Sequence, residues 1–202
     1  MRLAPVPIAT YLDLELTYKM SAASSITTHP NLGCIEACAA HGTLITGALQ
    51  GWTKEATISF GQELSSRVNS AEVSAVLSGY YLDKTRDQIS SSGYVVHTLE
   101  AALWASACTD DFKEGALLAV NLADDADTVG AVYGQLAGAH YGETGIPSDW
   151  IGHLDQSAMI TAMADQLHDI AGTLSVSTES SPHLNIIQPD SALFGAHPHG
   201  SA

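Results

Sequence analysis

Three aspartates fall within four positions, Asp124, Asp125 and Asp127, and Thr128 follows directly. Carboxylate and hydroxyl oxygens are hard donors, so this set suits Mg²⁺, with Mn²⁺ as its usual substitute. In an extended lead-in, residues two apart project to the same side, which pairs Asp125 with Asp127. A helix start offers a competing explanation. Asp is a common N-cap, and negative charge there meets the positive end of the helix dipole, worth roughly 0.3–1 kcal/mol. One or two aspartates need nothing more, but three repel one another, and a bound cation relieves that repulsion. Capping and cation binding both remain open on these residues.

Other groups that could do chemistry are weaker. Cys34, Cys38 and His41 share one predicted helix at spacings that could ligate zinc, yet no fourth ligand accompanies them. Small buried cysteines in an alanine-rich helix are commonplace and are the reading preferred here over zinc. His183, His197 and His199 form a thin histidine tract near the C-terminus. Thr109, Asp110 and Asp111 look like a second acidic motif, but capping of the following helix accounts for them. The chain contains no P-loop, no Gly-x-Ser-x-Gly and no dinucleotide-binding fingerprint.

The elements that must position the aspartates read as helices. Residues 126–141 carry glycine every fourth position, at Gly130, Gly134 and Gly138, with Gly142 as a C-terminal stop. Each interior glycine costs on the order of 1 kcal/mol relative to alanine. A stripe of them predicts close approach by another backbone, placing this helix at the centre of a bundle. Further helices are predicted over 27–51, with Pro30 in its first turn and Gly51 beyond its end, and over 54–68 and 71–81. Apolar periodicity adds 95–107 and 111–122, and a last helix over 157–171 stopped by Gly172. Residues 87–96 read as a polar Ser/Gly-rich loop, and 145–150 as a turn. Residues 1–174 form the folded part, and the Ser-, Thr-, Pro- and His-rich stretch 175–202 reads as a disordered tail.

Composition points the same way. The chain has 202 residues, 46% hydrophobic and 14% charged, with no sustained alternating pattern, so the fold class expected is all-α. A formal net charge of −15, from 22 acidic against 7 basic residues, argues against a general nucleic-acid binder, which needs a basic face. Three cysteines make no disulfide framework, and no apolar run reads as a signal peptide or a membrane span. A cytoplasmic location without membrane attachment is the expectation.

With these residues in view, the chain resembles the ADP-ribosylglycohydrolase family, enzymes that remove ADP-ribose from proteins. The family signature Gly-Gly-Asp-x-Asp-Thr corresponds to Ala123-Asp124-Asp125-Ala126-Asp127-Thr128, with both glycines replaced. Gly138-Ala139-His140-Tyr141-Gly142 matches its Gly-Ala-x-Tyr-Gly, and Ile146, Pro147 and Trp150 match the turn that follows. Upstream, Thr28-His29-Pro30 resembles the Ser/Thr-His motif, and Gly93-Tyr94-Val95 with Thr98 to Trp104 resembles the substrate-side loop and helix. Arg2-Leu3-Ala4-Pro5 resembles the Met-Arg-x-x-Pro segment. The likeness runs from about Met1 to Leu154 and is strongest to the branch acting on dinitrogenase reductase and similar arginine adducts.

The resemblance implies a compact helical bundle that hydrolyses the bond between ADP-ribose and a protein side chain, arginine being favoured. It implies Asp125, Asp127 and Thr128 as ligands in a binuclear Mg²⁺ (or Mn²⁺) site, and His29, Gly93 and Tyr94 as contacts to ADP-ribose. The ADP-ribosylated protein, or ADP-ribose itself, is then the partner. It also implies helices ahead of Met1 that carry the remaining ligands and a Thr-Asp-Asp-Thr motif. A chain lacking them would read as an N-terminally truncated enzyme, its general acid and base unnamed and its exposed apolar faces prone to self-association. The rival expectation is a non-catalytic remnant that binds ADP-ribose or serves as an interaction module.

Overall fold

The computed structural model describes residues 1–177, and these form ten α-helices with no strand among them. The expected disordered tail lies, from residue 178 onward, outside the described residues. In chain order the helices are α1 Pro5–Thr10, α2 Leu14–Ile26, α3 Leu32–Leu49, α4 Lys54–Ser65 and α5 Ala71–Leu77. They continue with α6 Val95–Cys108, α7 Phe112–Val120, α8 Ala126–Gly145, α9 Ser148–His153 and α10 Ser157–Ser177. Two short 3-10 turns, Tyr80–Asp83 and Arg86–Gln88, link α5 to α6.

Local chemistry sets most boundaries. Asp13, Asn31, Thr53, Ser70 and Asp111 each accept a hydrogen bond at a helix N-terminus from a backbone N–H two or three residues on. Asp111 therefore caps α7, as expected, while its neighbour Asp110 pairs with Lys54 at 2.8 Å. At the end of α3, Gly51 takes φ +87°, and the Trp52 N–H bonds back to the Gly47 carbonyl at 3.0 Å. This 6→1 closure with a left-handed glycine is the Schellman stop.

Several boundaries differ from the sequence reading, and the helix expected over 71–81 ends at Leu77, with the 3-10 turn Tyr80–Asp83 beyond it. The opening segment forms α1 and α2, which polar and β-branched residues had concealed. Pro30 precedes the Asn31 cap and stays outside α3. Residues 148–153 make a helical turn, and α10 runs through Gly172, whose backbone does not adopt the left-handed conformation of a stop. Gly142 does break α8, with φ +67° and ψ 178° inside the assigned span.

α3, α6 and α8 form the centre. α3 packs on α2, α4, α6 and α8, and α6 packs on α7 and α8. Tyr133, Leu44, Leu64, Leu136, Val73, Val76 and Val129 are fully buried there. α3 is long and apolar enough to cross a membrane, the only such helix among the described residues, but it lies mostly buried within this bundle. α10 packs against α1, where His168 stacks on Tyr11 at 4.8 Å, and it leaves Met159, Ile160 and Met163 exposed.

The glycine stripe does not do what its spacing predicts. α8 turns Val129, Tyr133, Leu136 and Ala137 inward. A Cβ on Gly134 or Gly138 would meet nothing within 4 Å, and one on Gly130 would meet only a Val120 side chain. The close approach falls instead at Gly115 of α7, where a Cβ would come within 2.1 Å of the Tyr133 hydroxyl. That hydroxyl donates to the Phe112 carbonyl at 3.1 Å, so a bulky aromatic locks α8 to α7.

Glu36, fully buried on α3, organises the approach to α5. Its carboxylate accepts from the Asn69 N–H (2.8 Å), the Asn69 side-chain amide (3.0 Å) and the Ser70 N–H (2.7 Å). Hydrogen bonds to a charged acceptor contribute about 1.5–3 kcal/mol each, and orphaned amides add a desolvation cost. Glu36→Ala is expected to lower unfolding stability by about 3 kcal/mol in urea titrations. An unchanged midpoint would show that the 66–70 turn holds without it.

Candidate active site

The aspartate-rich segment enters α8 through a strained turn. Ala123 and Asp124 occupy consecutive left-handed positions, with φ +67° and +52°. An L-residue other than glycine or Asn/Asp pays roughly 1–2 kcal/mol for that conformation. The two letters that stand where the family signature carries glycine are thus the two whose backbone calls for it.

What holds the turn is the loop before α6. Ser91, nearly buried, donates through its hydroxyl toward the carbonyls of Leu122 (3.2 Å) and Ala123 (3.1 Å). The Asp125 N–H in turn donates to the Ser91 carbonyl at 3.0 Å. The loop is itself braced, since His97 on α6 shares hydrogen bonds through Nδ1 with Ser90 (3.1 Å) and Ser92 (2.8 Å). Thr98 donates to the Ser92 carbonyl. Sequence reasoning passed over Ser91 and His97, because a serine run in a loop carries no periodicity to mark it.

Asp125 occupies the N-cap position of α8, but its side chain makes no capping bond to the helix backbone. Oδ1 accepts from the Thr128 hydroxyl at 2.9 Å, and a Cβ on Gly93 would sit 2.7 Å from Oδ2. Gly93 is therefore glycine for space, with the carboxylate resting where a side chain would be. The capping reading therefore does not hold for Asp125, whose carboxylate makes no bond to the backbone at the start of α8.

Asp125 and Thr128 open onto a cavity of about 670 Å³ between α2, α3, α6 and α8. His29, Gly93 and Tyr94 line the same cavity, so five of the six residues singled out from sequence meet at one place. Asp127, on the first turn of α8, is exposed and outside that lining. Tyr94 is the N-cap residue of α6, and its hydroxyl donates to Glu72 of α5 at 2.6 Å. That bond to a carboxylate raises the phenol above its ordinary pKa, with burial adding to it. Its ring meets His97 edge-on at 5.3 Å. His29 is exposed at the cavity mouth, its Nδ1 hydrogen-bonded to the Thr28 hydroxyl at 3.0 Å.

The oxygen set suits a hard cation in type, but these residues do not close a coordination shell. Among the described residues no three His, Cys, Asp or Glu side chains gather in a way that could hold a metal ion. The same holds for Cys34, Cys38 and His41, which line one wall of the cavity. His41 has a different significance: it is 3% exposed, and neither ring nitrogen makes a regular hydrogen bond, although the Val132 backbone lies close. Burial, followed by the nearby Met1 ammonium, pushes its pKa down to about 4. The Gln135 side-chain oxygen, also on the cavity wall, is likewise buried without a partner.

The family model for ADP-ribosylglycohydrolase matches residues 1–176. The chain belongs to the ADP-ribosylglycohydrolase family. ADP-ribosylarginine hydrolase Tri1 of Serratia proteamaculans (strain 568) is 39% identical over 173 residues, covering 85% of this chain and 46% of the relative. Tri1 of Pseudomonas putida (strain GB-1) is 41% identical over 173 residues, covering 85% and 45%. ADP-ribosyl-[dinitrogen reductase] glycohydrolase of Rhodospirillum rubrum is 43% identical over 84 residues, or 41% of this chain and 29% of that protein. A solved structure described as an ADP-ribosylglycohydrolase-related protein complex superposes with a TM-score of 0.78 at 37% identity, covering 85% of this chain and 59% of that one. The all-α bundle expected from sequence is thus the family fold. The chain spans about half the length of the two Tri1 relatives.

Two outcomes follow from this geometry. Ala123→Gly relieves a left-handed alanine, partly offset by the freer unfolded chain, and is expected to raise stability by about 0.5 kcal/mol. A loss on thermal unfolding would mean the turn is not strained. The second concerns pH. The unfolded chain takes up a proton on His41 near the ordinary 6.5, the folded chain only near 4. Stability is therefore full above pH 6.5 and falls as pH drops toward 4, by about 3 kcal/mol in total. His41→Leu is expected to flatten most of that slope in denaturant melts at stepped pH, and an unaltered slope would rule His41 out as its source.

Proposed function

We propose that this chain carries the ADP-ribose-binding and part of the hydrolytic machinery of a metal-dependent enzyme that removes ADP-ribose from modified arginine side chains. The observation that carries it is the Asp125 carboxylate, held at a helix N-terminus without capping it and facing a cavity lined by His29, Gly93 and Tyr94. The arginine adduct is favoured because two relatives about 40% identical over 173 residues are named ADP-ribosylarginine hydrolases.

In this reading Asp125, Asp127 and Thr128 supply oxygen ligands to Mg²⁺ or Mn²⁺. Held by these oxygens, such an ion would supply Lewis-acid stabilisation of charge at the anomeric centre. The chain's own residues do the positioning. Thr128 fixes the rotamer of Asp125, Gly93 leaves room for it, and Tyr94 presents its ring at the cavity wall while Glu72 holds its hydroxyl. His29 offers the cavity mouth an imidazole held through Thr28. The second reading, binding of ADP-ribose without turnover, is favoured by the open coordination shell described above.

Calorimetry with ADP-ribose, with and without Mg²⁺, separates these readings from no function at this cavity. Wild-type chain is expected to bind ADP-ribose more tightly by about tenfold when Mg²⁺ is present, a gain lost in Asp125→Asn and reduced in Asp127→Ala. Release of arginine from ADP-ribosylarginine, measured on the same samples, reports turnover. Binding without release selects the second reading. Equal affinities in all three proteins, with and without Mg²⁺, would overturn the metal assignment.

A further inference from the structure

α10 has two unlike sides. Its apolar residues Ile160, Met163, Leu167, Ile170 and Leu174 follow one another at alternating steps of three and four, the spacing that keeps side chains on a single seam. α1 does not take that seam. The buried Ala171, and His168 stacked on Tyr11 at 4.8 Å, mark the edge of α10 turned toward α1. On the seam itself Leu167 is half-buried, while Ile160, Met163 and Ile170 stay 47%, 55% and 45% exposed. Met159, beside them, is 52% exposed. Single exposed apolar side chains are ordinary on a protein surface, but a continuous stripe along one helix marks a face that associates with something.

We propose that the α10 seam pairs with the α10 seam of a second copy of this chain, forming a two-fold dimer. This does not depend on what the cavity binds. Charge selects the occupant. The ionisable residues of α10 are Asp165, His168 and Asp169, and the helical repeat places both aspartates on the side opposite the seam. Ala164, Gln166 and Thr173 flank the seam and are neutral, so two identical seams meet without like charges facing each other. That matters in a chain of net charge −15, where a seam flanked by acids would repel its own copy. A lipid surface fits less well, because α10 carries no lysine or arginine for anionic headgroups. The same patch on both chains makes an isologous contact, which closes at two copies. The stretch from Ile160 to Leu174 is about 22 Å long. Interfaces that persist in solution bury about 1,200 Å² or more in total, and a seam of two heptads lies near that lower bound, so the pair dissociates in the micromolar range.

Sedimentation velocity across the micromolar range tests the pairing. Wild type is expected to pass from monomer to dimer with concentration, and more readily at high salt, because screening weakens the repulsion between acidic copies. Met163→Glu with Ile170→Glu, and Met163→Lys with Ile170→Lys, are each expected to stay monomeric over the same range. An equimolar mixture of the two is expected to recover the dimer, since opposite charges then face across the seam. Leu117→Glu, at a comparably exposed leucine on α7, is expected to dimerise as wild type does. A wild type that stays monomeric throughout would overturn the proposal, whether another segment of the chain, a different protein or phosphatidylcholine vesicles then prove to cover the seam. A dimer that survives both double substitutions, or that Leu117→Glu abolishes, places the contact elsewhere. Failure of the mixture to pair, or a lowered melting temperature in the dilute variants, also counts against the seam, because the substitutions would then act within one chain.

Discussion

The candidate site depends on a short exchange of hydrogen bonds between a serine loop and a left-handed turn. Ser91 reaches the carbonyls of Leu122 and Ala123, and the Asp125 N–H returns the bond to the Ser91 carbonyl. Without that clamp, two consecutive non-glycine residues would have little reason to remain at positive φ. The helix would then start elsewhere, and Asp125 would rotate away from the cavity. Local strain at Ala123 and Asp124 is tolerated because the surroundings over-determine it, an arrangement typical of places where a side chain must be aimed.

Support spreads outward from the clamp in layers. His97 braces the serine loop from α6, Tyr94 ties the start of α6 to Glu72 on α5, and Glu36 on α3 builds the turn from which α5 begins. Each step is a polar group satisfied inside or at the edge of an apolar bundle, where an unmade bond is costly. On the cavity wall the His41 ring and the Gln135 side-chain oxygen are exceptions, buried without a hydrogen-bond partner. Their presence marks the cavity as a place where packing and hydrogen bonding are not self-contained.

Much of the fold was legible because helices announce themselves locally. The Asp111 cap, the Gly51 stop and the apolar periodicity of α6 and α7 all follow from neighbours a few residues apart, whereas the Asn31 cap that leaves Pro30 outside α3 was not read. The opening helices were missed because short segments such as α1 are stabilised by contact, with α2, α3 and α10, rather than by their own pattern. The glycine stripe misled for a related reason. Spacing shows that Gly130, Gly134 and Gly138 share a face, but only packing shows what lies opposite, and the close approach belongs to Gly115.

The sequence by itself determined the family, the all-α class and which residue types could serve a site: the Asp-rich turn, the Thr-His pair and the Gly-Tyr loop. Those depend on side-chain chemistry and on spacing along the chain. Only the tertiary structure decided that Asp125 leaves its helix uncapped, that Asp127 stays off the cavity wall, and that His29, Gly93 and Tyr94 meet Asp125 around one cavity. Residues 29, 93 and 125 are far apart in sequence, and no local rule brings them together. Their meeting is set by how α2, α3, α6 and α8 pack, which is a property of the buried core rather than of any segment.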